Sequence, residues 1–262
     1  MTGYAVFMDD GASGSYSEVN SANDVAVRDQ PLLSAFTITA FTVADEGKDF
    51  RVYLTVFTAE YELSSEVATI TLADVPGTPA AGPTRDSTST STILYVSIGT
   101  VTDINGLTLT AYSIEADLND GLGYTLIQEG MATYATLKNL VQGSTYKLRY
   151  RVKNDYGYSD YSPVSFLLAA EVPETPNAPT FTSSTDEDLI VALDLVANNM
   201  GSAITTWKLY INAGDGLDTY TQVASYISGT ASHTLNDITD TLTEGKIYKL
   251  KVSATNAIGE SE

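Results

Sequence analysis

Cysteine is absent from all 262 residues, which excludes a disulfide framework and every thiolate metal site. That absence assigns no redox compartment, because a domain of ordinary size is stable without a bridge. Histidine occurs once, at His233, with neither a nucleophile motif nor a second histidine to make a base pair with it. Positive charge is scarce: 13 Lys and Arg stand against 33 Asp and Glu, a net charge of −20. Such a surface repels phosphate backbones and anionic lipid, so the expectation is no nucleic-acid partner and no membrane-surface binding. No apolar run approaches the ~20 residues of a membrane span, and no basic-then-apolar leader opens the chain. No membrane insertion is expected, and any export signal or anchor is expected outside this chain. There is no glycine-rich phosphate loop, no Asn-x-Ser/Thr acceptor for N-linked sugar and no Arg-Gly-Asp tripeptide. Apolar residues at helical spacing are missing as well, which leaves strands as the regular structure.

What is present is a repeated strand. In Gly143–Ser159, Tyr146, Leu148, Tyr150 and Val152 share one face and Lys147, Arg149, Arg151 and Lys153 the other, the alternation of a half-buried strand. The design returns after Gly245, where Tyr248, Leu250, Val252 and Ala254 alternate with Lys249, Lys251, Ser253 and Thr255. It occurs a third time after Gly47, with Phe50, Val52, Leu54 and Val56 on the inner face. The three glycines are 96 and 102 residues apart, a spacing that suits one β-sandwich each.

An earlier strand recurs in step: Tyr4–Met8, Tyr112–Ala116 and Trp207–Ile211, each ending at an Asp or Gly turn that favours a hairpin. Short partners follow near Ser15–Val19, Tyr124–Ile127 and Tyr220–Val223. Two proline-rich connectors, Val75–Thr84 and Val172–Thr180, read as stiff spacers or edge strands. Each leads into an aliphatic strand, Ile93–Ile98 or Leu189–Leu195. The expected domains are 1–75, 76–172 and 173–262.

Matched residues then point to a family. They are the prolines before each strand set; an aromatic on the third strand (Tyr4, Tyr112, Trp207); Leu140, Gly143 and Tyr146 with Leu242, Gly245 and Tyr248; and the turns Asn154, Gly157, Ser159 and Asn256, Gly259, Ser261. Over nearly its whole length the chain resembles tandem fibronectin type III domains, and the resemblance implies immunoglobulin-like all-β sandwiches. It also implies that Tyr146 and Tyr248 are corner tyrosines whose hydroxyls bond back to the backbone, and that Tyr4, Tyr112 and Trp207 are core aromatics. Two departures stand out. The tryptophan usual on the second strand is missing, so aliphatics must fill that space. In the first copy Phe50 replaces the corner tyrosine and Ala44 stands where Leu140 and Leu242 do.

In register with the middle copy, the first starts at its third strand and the third lacks its last. Two readings follow: a window on a longer array, or gaps filled by strand exchange between chains. Nine of the 13 basic residues lie in or beside the repeated strands. Lys147, Arg149, Arg151, Lys153, Lys249 and Lys251 either pair with carboxylates such as Glu115 and Asp117 on the next strand, or form a basic stripe toward a neighbouring chain. The acidic clusters Asp9-Asp10, Asp117/Asn119/Asp120 and Asp186–Asp188 lack the spacing of a calcium loop and read as turn formers. Ser87, Thr88, Ser89 and Thr90, beside a proline-rich connector, are candidate acceptors of O-linked sugar. The expectation is a non-enzymatic structural array, extracellular or at the cell surface, without cofactor or metal, partnered by copies of itself or by neighbouring repeats. The alternative is an adhesion or receptor ectodomain that binds a protein or glycan through sandwich loops.

Overall fold

A computed structural model of the chain describes residues 3–19, 32, 34, 35, 37–39, 41–195, 197–240 and 242–262. Among the described residues the regular structure is strands and a 3-10 turn at Val43–Asp45. Among the described residues the strands fall into three groups in chain order, and no sheet joins one group to the next.

The middle group is a complete two-layer sandwich. One layer holds β6 (Thr84–Arg85), β7 (Leu94–Ser97) and β10 (Tyr134–Leu137), in the order β10-β7-β6. The other holds β8 (Ala111–Asp117), β9 (Tyr124–Gly130), β11 (Thr145–Lys153) and β12 (Ser165–Leu168), in the order β12-β11-β8-β9. Period-two patterning builds it: the inward residues of β11, Tyr146, Leu148, Tyr150 and Val152, are at most 3% exposed, and the residues between them carry charge. Leu94 and Val96 fill the opposing layer, so aliphatic side chains do occupy the second strand. Each fully buried side chain of this size contributes about 1.5–3 kcal/mol. Strand β9 runs to Gly130, beyond the expected Ile127, because a bulge opposite Ile114 and Glu115 carries the pairing on.

The third group repeats the plan with β13 (Thr180–Ser184), β14 (Asp188–Ala192) and β17 (Ser232–Asn236) in one layer. Facing it are β15 (Thr206–Asn212), β16 (Tyr220–Gln222) and β18 (Leu250–Thr255). Val191, Leu193, Leu209, Ile211, Val223, Leu235 and Val252 form its core, with Trp207 packed against it. Strand β14 stops at Ala192, short of the expected Leu195, although Leu193 still donates to the Ala231 carbonyl.

The first group is a single sheet: β1 (Gly3–Met8), β2 (Ser17–Glu18), β3 (Asp49–Phe57), β4 (Glu62–Ser64) and β5 (Ala68–Thr71), with β4 and β5 sharing one edge of β3. Its alternation is less clean. Phe50 is buried, yet Tyr4 is half-buried, and Phe7 stacks on Tyr53 at 5.1 Å on the other face.

Candidate interdomain joints and sheet faces

Each connector is clamped to the sandwich that follows it, and the clamp is built twice. After β11, the Asn154 carboxamide oxygen accepts the N–H groups of Tyr156 and Gly157, closing the turn. Its Nδ2 donates to the carbonyls of Asp74, at 2.7 Å, and Ile104. After β18, Asn256 does the same with Ile258 and Gly259, and its Nδ2 reaches the carbonyls of Glu171, at 2.7 Å, and Asn199. Both asparagines are at most 5% exposed, so all these bonds are made where water does not compete. Within the turns, Ser159 Oγ accepts the Val152 N–H and Ser261 Oγ accepts the Ala254 N–H.

Backbone pairing completes the clamp. Asp74 N–H donates to Asn105 and Gly77 N–H to Asp103; Glu171 N–H donates to Met200 and Glu174 N–H to Asn198. Pro76, Pro79 and Pro83 of the first connector and Pro173 and Pro176 of the second are buried. The connectors are therefore built into the sandwiches as edge-like segments. Prolines supply the fixed φ and the residues between them supply the donors.

Two glycines bring the preceding unit against this loop. Gly47 and Gly143 open the repeated strands with φ of +77° and +80° and donate to the carbonyls of Leu72 and Ala169. Against them lie Gly106 and Gly201, with φ of +85° and +92°. A Cβ on Gly106 would fall 2.4 Å from Gly47 N, and one on Gly201 would fall 2.7 Å from Gly143 N. Only backbone fits there, so successive units meet glycine to glycine. The residue before each loop glycine is also left-handed, Asn105 at +45° and Met200 at +51°. Asn105 suits that conformation and its Nδ2 donates to the Val75 carbonyl at 2.6 Å, whereas Met200 has no such compensation. Sequence reading found the asparagine turns and the connectors but missed Asn105, Gly106, Met200 and Gly201. The findable signal was the pair Ile104-Asn-Gly and Asn199-Met-Gly, each about 30 residues past its connector valine.

The corner residues sit at the ends of the same strands. Val141 N–H donates to the Tyr146 hydroxyl at 2.8 Å and Thr243 N–H to the Tyr248 hydroxyl at 2.7 Å. Leu140 is buried beside Tyr146, and Leu242 packs on the third core. In the first unit Phe50 offers no acceptor. Asp45, at the position of Val141, donates its N–H to Thr42 instead, and its carboxylate accepts Thr42 N–H and Oγ1–H. With Lys48 as its ion-pair partner and Thr42 as a donor, the Asp45 carboxyl is held at about 2. Phe50 meets Phe41 edge-on at 5.0 Å. Tyr112 lies in the middle core, 5% exposed.

The basic residues are engaged within the chain. Lys147 pairs with Asp117 and Arg149 with Glu115, directly across β8. The Arg149 guanidinium lies between the rings of Tyr124 and Tyr161, at 3.9 and 3.7 Å from their centroids. Arg151 lies over Tyr158 and Tyr161, and Lys153 over Tyr158. Tyr161 and Tyr158 donate in turn to Glu115 and Glu129. On the third unit Lys249 pairs with Asp218, while Lys251 faces Tyr210 and Tyr220. Tyrosines are interleaved with the cations because flat rings shield adjacent positive charges on a strand where like charges would otherwise repel.

Ser89 is withdrawn from the candidate glycan acceptors. It is 5% exposed, its hydroxyl donates to the Tyr95 carbonyl, and it accepts the Tyr95 N–H. Thr88 and Thr90 use their hydroxyls to hold the same turn, and Ser87 and Thr88 are both exposed.

His233 is half-buried on β17, with its ring edge-on to Tyr226, and burial pushes its pKa down. Ser225 Oγ lies 3.1 Å from His233 Nε2 and donates to Asp240 at 2.7 Å. The serine stands between carboxylate and imidazole, the reverse of the order in which an oriented imidazole takes a serine proton. The acidic clusters cap turns: Asp10 accepts the N–H groups of Ala12 and Gly14, and Asp120 that of Leu122. Among the described residues no group of three or more His, Asp or Glu is placed to hold a metal ion. Nor is any helix among them long and apolar enough to cross a membrane.

The described residues thus form an all-β protein of antiparallel sheets, two-layered in the middle and third strand groups. Among solved structures it is similar to the FN1–FN3 domains of chicken CNTN1, over 100% of this chain and 87% of that one, at 11% identity and a TM-score of 0.47. No protein-family model matches the sequence.

Proposed function

We propose that this chain is a non-enzymatic structural element, a run of β-sandwiches with units 1–75, 76–172 and 173–262, serving in an extracellular or cell-surface filament or stalk. The observation that carries this reading is the duplicated joint. The same asparagine clamp, connector pairing and glycine-to-glycine contact recur at both junctions, so each unit is set on the next in the same way. A device that fixes the angle between units serves a protein whose task is to hold a shape. Its partners are copies of itself or neighbouring repeats, and the acidic surface keeps unrelated anions away.

Electron microscopy of the native material, with residual dipolar couplings on the isolated chain, tests the reading. The expected result is a regular axial repeat together with one fixed orientation between adjacent units. Separate monomers, each sequestering a ligand at its loops, would replace this function with an adhesion or receptor role.

A further inference from the structure

The sequence holds one Asn-Gly pair, Asn105-Gly106, and the fold places it at the first joint. An asparagine followed by glycine is chemically labile, because no side chain on the next residue hinders its backbone nitrogen from attacking the carboxamide carbon. Here the pair forms the tip of a turn. Leu107 N–H donates to the Ile104 carbonyl and both central residues have positive φ, the pattern of a type I′ turn. The surroundings hold that turn in a shape from which the attack cannot start. Asn105 Nδ2 donates to the Val75 carbonyl at 2.6 Å, which fixes the carboxamide. The Asn105 carbonyl accepts the Asp74 N–H at 3.1 Å, which fixes the backbone torsion that would have to rotate. Gly106 is backed onto the first unit, where a Cβ on it would meet Gly47 N at 2.4 Å and the Leu72 carbonyl at 2.9 Å. Asn154 ties connector and turn together, since its Nδ2 donates to the carbonyls of both Asp74 and Ile104.

We propose that Asn105-Gly106 is a deamidation site gated by the first joint. While the joint is closed the carboxamide is withheld. When it opens, Gly106 N bonds to Asn105 Cγ, the Cγ–Nδ2 bond breaks, and the Gly106 amide proton leaves with Nδ2 as ammonia. Water then opens the resulting succinimide ring at one of its two carbonyls, leaving an aspartate or its β-linked isomer at position 105. A cleft of about 550 Å³ bordered by Glu46, Leu72, Asp74 and Asn105 brings that water to the site. The change is one-way and opposes reclosure. The new carboxylate has no proton to offer the Val75 carbonyl, and it adds negative charge to a cleft that already holds Glu46 and Asp74. The β-linked isomer also inserts a carbon into the backbone where Gly106 meets Gly47. At the second joint Met200 stands in this place, with no amide to lose, so that joint is exempt. The proposal rests on the reading of the joints as the parts that hold the shape, and it names a means by which one of them is permanently released.

The test incubates the full chain in mildly alkaline buffer, with conversion at Asn105 read by peptide mass spectrometry and the joints by residual dipolar couplings. A synthetic peptide of residues 101–110, which has no joint around it, sets the ungated rate. The folded chain should convert about tenfold or more slowly than the peptide, because only the opened joint reacts. Asn154→Ala, which frees Asp74 and Ile104, should raise the chain's rate about fivefold or more. Gly47→Ala, whose Cβ falls 2.8 Å from the Gly106 carbonyl, opens the joint from the other side and should do the same. Slow hydrogen exchange at Leu148 shows in each variant that the middle sandwich is folded. Asn105→Asp installs the product directly and should lose the fixed orientation across the first joint while the couplings across the second stay unchanged. The proposal is overturned if folded chain and peptide convert at equal rates, if neither joint variant speeds conversion, or if Asn105→Asp keeps the first joint's couplings. The couplings of the untreated chain test the fixed joints by themselves, so the two readings fall separately.

Discussion

Asn154 and Asn256 show how much one side chain can hold. Each carboxamide closes a turn through its oxygen and ties a connector through its nitrogen, in a site where neither asparagine is more than 5% exposed. Asn256→Ala should therefore cost about 2–3 kcal/mol, read as a lowered denaturation midpoint. The turn motif was legible in sequence, but the second half of the job was not, since the accepting carbonyls lie up to 85 residues away in the chain. Met200 gives the opposite sign. Its left-handed backbone is disfavoured for an unassisted side chain, while Asn105 occupies the same place at the other joint and bonds Val75. Met200→Asn should stabilise the chain by about 0.5–1 kcal/mol, visible as a rise in thermal midpoint. Removing a corner hydroxyl is a smaller loss. Tyr248→Phe frees only the N–H of exposed Thr243, and about 0.5–1.5 kcal/mol is expected by chemical denaturation.

Among the elements, β15 and β18 are tied by a carboxylate, Glu260, that makes the third sandwich sensitive to acid. Burial by itself would raise the Glu260 pKa, but hydrogen bonds from Lys208, Ser253 and Tyr210 outweigh it and bring the group from 4.5 to about 2. A depressed carboxylate stabilises the fold above its unfolded pKa and loses that contribution as pH falls toward the folded one. The stability of the third unit should thus decline between about pH 4.5 and about pH 2, and Glu260→Gln should flatten that part of the curve when denaturation is followed by Trp207 fluorescence. The loop glycine of the second joint belongs to this scale as well. Gly201→Ala places a Cβ 2.7 Å from Gly143 N at a left-handed backbone. It should cost about 1–2 kcal/mol and turn the units apart, as measured by residual dipolar couplings across the joint. Strands β8, β11 and β15 were plain from alternation, since their inward residues are apolar without interruption. The extents of β9 and β14 were not, because a bulge and a changed neighbour set where a ladder stops.

At the level of the molecule, the described strands form three groups with no sheet shared among them, and unfolding is expected to be a sum of coupled units, not one transition. The absence of cysteine excluded a thiolate site on its own, and the alternation of the repeated strands marked the chain as all-β. Those properties follow from local pattern and from what residues are there to be used. The joints, the pairing of the cations with rings and carboxylates, and the burial of Ser89 were decided only by tertiary structure. Each depends on which distant backbone a residue meets, and a one-dimensional pattern of polar and apolar residues does not encode that distance.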